Sequence, residues 1–374
     1  MERRDCIKAI GAAAIAGSVP VLHPIEARAN MSSKAELRTE VVRLKLRHTW
    51  TTTMSSSDYR DTLFVHYTKD GISGVGEGAP IIRYHEDALG EQKVVESLRD
   101  LLLSADPQTY DKLNRTILQR VENDWAAKSA LDIAILDWVG QRMNVPIHRL
   151  LGLDAADAPV TTFSIGIDTP EITRQKTREA EAYPVLKVKV GLDSDEATIQ
   201  AVRSVTDKPL RVDANEGWQD REVAVRKIEW LEKQNVEFIE QPMAADRFED
   251  IKWIRERVGM PVFADEACLR PSDIPKLAEA YDGVNIKLDK AGGILQGYRM
   301  LQMARALGLK TMLGCMISSS VAITAAAQLS PLADYADLDG NLLIGNDPYD
   351  GVLVKEGKLI LPDRPGLGVR RLAT

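Results

Sequence analysis

Leu186-Lys187-Val188-Lys189, Leu210-Arg211-Val212-Asp213, Phe238-Ile239-Glu240, Val262-Phe263-Ala264-Asp265 and Val284-Asn285-Ile286-Lys287 are five short apolar runs, each ending in an ionisable residue. From Asp213 to Glu240, Asp265 and Lys287 the steps are 27, 25 and 22 residues, each enough for one strand, one helix and two loops. This rhythm predicts a (β/α) barrel that delivers one charged side chain at the C-terminal end of each successive strand. Working outward, strands are expected at 160–167, 185–190, 210–213, 237–240, 262–265, 283–287, 310–313 and 335–338. The fold class is therefore α/β, a modified (β/α)7-8 barrel over residues 153–344.

Upstream, Val42, Leu44 and Leu46 alternate with Arg43, Lys45 and Arg47 in a half-buried strand over 39–47. A polar stretch, 48–61, separates it from a second strand at 62–67. Lys69-Asp70-Gly71 turns the chain into a third at 74–78, giving an antiparallel meander. Helices are expected at 86–104, at 107–121 with proline in the first turn, and at 125–143. In the last, Ala127, Ala130, Leu131, Ala134, Ile135 and Trp138 form one apolar face. Strands followed by helices make an α+β domain over 31–152. Beyond Gly345 the chain is rich in proline and glycine, with a hairpin expected at 352–354 and 358–361.

The chain has 374 residues, 44% of them apolar, and a formal net charge of −7. No basic patch is available to neutralise phosphates, which argues against nucleic acid as a partner and for a small-molecule substrate. Arg3-Arg4 precedes a mild apolar run from Ala9 to Leu22, and Ala27-Arg28-Ala29 has the small-x-small pattern of a cleavage site. Residues 1–30 therefore read as a removable twin-arginine-type export signal, leading to the periplasm; cytoplasmic residence is the alternative. The run is too short to span a membrane, so no stable membrane association is expected after removal. Cys6 would leave with this segment, and Cys268 and Cys315 are expected as free thiols. A homo-oligomer is compatible with the sequence.

Three carboxylates, Asp213, Glu240 and Asp265, converging on one mouth would repel each other without a cation. Hard oxygen donors suit one Mg²⁺ per subunit. Lys187 and Lys189 lie two apart on one strand and point the same way. Their repulsion, with a nearby cation, is expected to lower a lysine pKa towards that of a general base. Lys287 approaches from the sixth strand, with Lys290 as the second choice for the same role. At the eighth strand, Asp337-Leu338-Asp339-Gly340 places two more carboxylates at the mouth.

The set Lys187-x-Lys189, Asp213-Ala214-Asn215, Glu240-Gln241-Pro242, Asp265-Glu266 and Asn285-Ile286-Lys287 resembles the enolase superfamily in its muconate-lactonizing subgroup. Gly76-Glu77-Gly78-Ala79-Pro80 and Ala130-Leu131-Asp132 resemble its capping domain. The resemblance implies that residues 345–374 pack back on the cap. It further implies that Mg²⁺ holds a substrate carboxylate while a lysine removes the α-proton to give an enediolate.

Asp337 and Asp339, with Gly314-Cys315-Met316, are similar to the dipeptide epimerases. There the aspartates hold the ammonium of a dipeptide while the second residue's α-carbon is inverted. Under that resemblance Lys189 and Lys287 exchange the proton on opposite faces, Lys187 tunes its neighbour, and Ser164, Met316 and Ser55 contact the substrate. Ala-Glu epimerases carry an arginine near the position of Ser55, and Ile317 stands where relatives are polar; this implies a dipeptide with an uncharged second residue. The same site could instead serve an N-acyl amino acid racemase, an o-succinylbenzoate synthase or a cycloisomerase. An exported barrel that binds peptides without chemistry is the reading from another class.

Overall fold

The computed structural model describes residues 35–373; the export signal expected at 1–30 lies outside them. Its first elements are three antiparallel strands: β1 (Glu36–Thr51), β2 (Ser56–Lys69) and β3 (Ile72–Gly78). The polar stretch is not a spacer. β1 and β2 run on through it, pairing Trp50 with Ser57 and Thr51 with Ser56 across a short turn, with an irregular register between Lys45 and Trp50. Thr, Tyr and Trp favour strands, and the polarity reflects two largely solvated faces rather than a loop. The helix expected at 86–104 is also divided. Asp87 caps α1 (Ala88–Ser97), accepting from the Leu89 and Gly90 amides, and Leu98 separates it from α2 (Arg99–Ser104).

α3 (Tyr110–Arg120) leads to α4 (Trp125–Met143), which is buried along most of its length. Gly74, Gly76 and Gly78 share one face of β3, two residues apart; Ala126, Ala130 and Ala134 share one face of α4, four apart. The two rows meet directly. A Cβ on Gly74, Gly76 or Gly78 would lie 2.1, 1.9 or 2.2 Å from the carbonyl oxygens of Ala134, Ala130 and Ala126. Only glycine lets strand and helix backbones approach this closely. The residue between two of them, Glu77, points the other way and is fully buried. It accepts from the Ser319 amide (2.9 Å) and hydroxyl (2.5 Å), from Ala322 N (3.0 Å) and from Thr62 (2.9 Å). This fastens the cap to the start of the helix Ser320–Ala327.

Eight parallel strands follow in sequential order: β4 (Phe163–Ile165), β5 (Leu186–Lys189), β6 (Leu210–Asp213), β7 (Val236–Glu240), β8 (Val262–Ala264), β9 (Gly283–Lys287), β10 (Lys310–Gly314) and β11 (Tyr335–Asp337). A bridge between Thr161 and Ala336 brings the first strand to the last. Phe238, Phe263, Met312 and Tyr335 pack together in a buried cluster, with the two phenylalanine rings stacked at 4.2 Å and the Arg211 guanidinium over Tyr335. The C-terminal segment forms a hairpin (Leu353–Lys355 with Lys358–Ile360) and then returns to α4, where Leu367 N donates to Asp137 Oδ1 at 2.8 Å. No helix of the described residues is long and apolar enough to cross a membrane.

Gly76→Ala should force β3 off α4 and cost about 2–3 kcal/mol, the upper range for overpacking a rigid contact. Chemical denaturation of the variant against the parent measures this; an unchanged midpoint would show that the two backbones can part freely.

Candidate active site

Strand alternation aims Lys187 and Lys189 to the same side, with Lys187 one layer deeper. The Lys187 ammonium lies 2.7 Å from Asp337, 2.8 Å from Glu240 and 3.2 Å from Asp213. Lys189 reaches Asp213 at 2.6 Å. Asp265, just past β8, receives Lys287 on Oδ2 at 2.8 Å and Lys290 on Oδ1 at 2.5 Å. All are nearly inaccessible to solvent. Ligand oxygens of Asp213, Glu240 and Asp265 lie within 4.8 Å of one another, a spacing that could hold a metal ion.

Burial opposes every charge here, so neighbours decide each protonation. Desolvation pulls Lys187 down, but Asp337, Glu240 and Asp213 override it and hold its pKa well above the usual lysine value. Lys287 is likewise raised, against desolvation, chiefly by Asp265. At both lysines the carboxylates alone outweigh the repulsion from neighbouring lysines; the expected lowering of a lysine pKa depends on the neighbouring cation as well. Asp265 sits well below the carboxylate range because Lys287 and Lys290 overcome its burial. Glu240 is pushed up to about 8 by burial and by Asp213. Glu266 rises to about 8 through burial, Asp265 and Asp213.

The composition of the mouth tests the metal directly. Six carboxyl groups (Asp213, Glu240, Asp265, Glu266, Asp337, Asp339) face four ammonium groups (Lys187, Lys189, Lys287, Lys290). The buried carboxyl groups outnumber the buried ammonium groups, and a cation among them would favour their ionised forms. The donors are all hard oxygens, and the Asn285 amide orients Glu240 by donating to its Oε1 at 2.7 Å. The residues present fit Mg²⁺.

Above this cluster lies a cavity of about 260 Å³, lined by Lys189 and Lys287, by Asn215, Asp265 and Glu266, and by Cys315, Met316 and Ile317. The cap closes it with Trp50, Ser55, Arg60 and Tyr84. Lys290 does not line it, because its ammonium is turned to Asp265, including the backbone carbonyl. Met316 and Ser55 are placed as expected from the sequence. Ser164 is not in this cavity; it lines a smaller, adjoining apolar one that shares Trp50 and Ile317.

The two aspartates at the eighth strand differ. Asp337 is committed, with Thr162 (2.6 Å) and Ser164 (3.2 Å) donating to Oδ1 and Lys187 donating to Oδ2. Asp339 accepts the Ser164 amide on Oδ2 at 2.5 Å, and like Asp337 it is buried without lining the larger cavity. Burial and Asp337 push Asp339 up to about 7. Both cysteines of the described residues are free, Cys268 buried and Cys315 partly so. Sequence patterning did not single out Trp50 or Tyr84, which come from a strand end and from the aperiodic run Ala79 to Tyr84.

Residues 34–152 match the mandelate racemase / muconate lactonizing enzyme N-terminal domain, and residues 171–371 match the enolase C-terminal domain-like family. The chain belongs to this branch of the enolase superfamily. It is 44% identical over 338 residues to an L-Ala-D/L-amino acid epimerase of Pedosphaera parvula, covering 87% of this chain and 97% of the relative. It is 40% identical over 334 residues to an L-Ala-D/L-Glu epimerase of Bacteroides thetaiotaomicron, covering 88% and 86%. Its fold matches the dipeptide epimerase of Enterococcus faecalis, solved with Mg and L-Leu-L-Tyr, with a TM-score of 0.84, 31% identity and coverage of 90% and 99%.

Mg²⁺ requires ionised ligands, so a Glu240 that titrates near pH 8 must lose its proton on binding. Calorimetry in buffers of different ionisation enthalpy should show proton release at pH 7 that disappears by pH 9, with affinity rising over that interval. Affinity independent of pH between 6 and 9 would contradict the Glu240 assignment.

Proposed function

We propose that the protein is a Mg²⁺-dependent dipeptide epimerase that inverts the second α-carbon of an L-Ala-L-Xaa-type dipeptide by proton exchange between two lysines. The observation that carries this reading is the placement of Lys189 and Lys287 in one cavity, on β5 and β9, with the carboxylates of the metal triad between them. Asp213, Glu240 and Asp265 would hold the ion, which when bound supplies positive charge to the substrate carboxylate and so acidifies the α-proton.

One lysine, neutral, takes that proton; the other, protonated, returns it to the opposite face of the planar enediolate. Lys187 does not reach the cavity; it holds Asp213, Glu240 and Asp337 together from below. Asp339 would receive the substrate ammonium from beside the cavity, and Asp337 supports it through Ser164. The cap excludes water from the exchange. The name of the relative with an L-Ala-D/L-amino acid specificity and the dipeptide-bound neighbour support this reading.

Incubation of L-Ala-L-Xaa dipeptides with the enzyme and Mg²⁺ in D₂O should add one mass unit at the second residue. Lys189→Met and Lys287→Met should each slow epimerisation at least about 100-fold, within the range of a lost general acid or base. Each variant should still exchange the proton of one stereoisomer. N-acetyl dipeptides, which lack the ammonium, should exchange far more slowly; faster exchange with them would favour the N-acyl racemase reading.

We further propose export, on the strength of Arg3-Arg4 and the following apolar run. Fractionation of cells expressing the full chain should place the protein in the periplasm, and Arg3→Lys with Arg4→Lys should retain it in the cytoplasm. An equal distribution of both forms would refute a twin-arginine signal.

A further inference from the structure

Asp213 and Glu240 are the last residues of β6 and β7, whereas Asp265 lies one residue past the end of β8. The third ligand of the triad therefore depends on side chains to fix it. Its amide donates to Gln241 Oε1 at 2.9 Å. Its carbonyl oxygen and its Oδ1 both accept from Lys290, the latter at 2.5 Å.

Lys290 lies on the short helix Leu288–Ala291 and does not line the active cavity. What holds it is Arg270, which follows Asp265 by five residues on the loop after β8. Arg270 Nη1 donates to the Lys290 carbonyl and, at 3.0 Å, to the carbonyl of Leu269. The path closes on itself. A side chain joins Lys290 to Asp265, a backbone carbonyl joins Lys290 to Arg270, and the chain joins Arg270 back to Asp265.

Arg270 is in turn placed by the cap. Its guanidinium carbon lies 3.1 Å from the ring centroid of Trp125, the first residue of α4. Trp125 donates its amide to Glu86 at 2.6 Å, and its ring packs so closely on Gly292 that a Cβ there would come within 3.0 Å of Cε3. Arg270 makes no ion pair among the described residues, and burial pulls its pKa down to about 10. A part-buried guanidinium without a carboxylate is costly, and an apolar side chain would cover the indole at less cost. What an apolar side chain lacks is a planar fork that stacks on the ring while its N–H groups reach carbonyl oxygens.

We propose that Arg270 and Trp125 are positioning residues for the third metal ligand. The cap helix α4 holds Arg270, Arg270 holds the Lys290 backbone, and Lys290 fixes the Asp265 carboxylate. The cap then contributes to metal affinity as well as covering the substrate. The inference rests on the metal triad and not on which dipeptide is turned over.

The test is Mg²⁺ binding by calorimetry without substrate, followed by kinetics at low and saturating Mg²⁺. Arg270→Met and Trp125→Leu should each weaken Mg²⁺ binding by about 10- to 100-fold, the range for lost support behind a metal ligand. Trp125→Phe, which keeps an aromatic face, should recover most of that affinity. Lys128→Met removes the other cation that lies over the same ring, at 3.6 Å, without touching Lys290, and should leave affinity unchanged. At saturating Mg²⁺, Arg270→Met should regain most of its kcat, with KM for the dipeptide near that of the parent. Arg270→Met that folds and binds Mg²⁺ as tightly as the parent overturns the proposal. So does Lys128→Met that weakens binding as much as Arg270→Met, since the ring would then act through general stability of the cap. If Trp125→Leu does not fold, the comparison of Arg270→Met, Trp125→Phe and Lys128→Met decides. A parent protein that binds no Mg²⁺ overturns the metal triad and this proposal together, whereas normal Mg²⁺ binding without turnover of any dipeptide overturns the epimerase reading alone.

Discussion

Burying six carboxyl groups within one dry mouth is the constraint to which the rest of the molecule answers. Each isolated charge would cost several kcal/mol to desolvate, so none can stand without a partner. Lys187 is the central counter-charge, touching Asp213, Glu240 and Asp337 from three different strands. Those contacts require β5, β6, β7 and β11 to converge at one height, and the barrel supplies that convergence. The cluster is not there because ion pairs stabilise; an apolar plug such as the Phe238, Phe263 and Tyr335 stack does that at lower cost. It is there because a metal and an exchanging proton need oxygen and nitrogen donors at fixed positions.

A dry mouth also needs a cover, and the cap is attached by contacts as demanding as those beneath it. Glu77 reaches from β3 to the start of the helix Ser320–Ala327. Its charge finds amide donors at a helix N-terminus, where a carboxylate is favoured. The glycine and alanine rows bind β3 to α4, and Asp137 of α4 accepts amides from both Val75 and Leu367. Cap, barrel and C-terminal segment thus share one hydrogen-bonded joint. Chemistry is assigned to the rigid strand ends and selection to the hairpin wall above them.

This division explains what could be read from the residues. The strand-end charges were legible because a barrel repeats, and repeating geometry turns spacing into position. The helix Trp125–Met143 was legible to the residue from its long apolar run, although every residue from Ala126 to Gly140 is buried and the expected single apolar face is in fact a helix enclosed on all sides. The hairpin was not: with both faces part-solvated, 48–61 lacks the alternation that marks a strand. Facing was lost with it, and Trp50 became visible only when the strand placed it on the cavity wall. The commitment of Asp337 was hidden for a different reason. It depends on Lys187, 150 residues away in sequence, and on which of two adjacent layers each side chain occupies.

The four lysines form two matched couples, and the match bears on reversibility. Lys189 shares Asp213 with Lys187; Lys287 shares Asp265 with Lys290. In each couple one lysine lines the cavity and the other is shut away from it. An epimerase must run its proton transfer in both directions, and each cavity lysine here has one triad carboxylate beside it and one hidden lysine on that same carboxylate. Lys290 therefore has a place in the site although it lines no part of the cavity: it is to Lys287 what Lys187 is to Lys189.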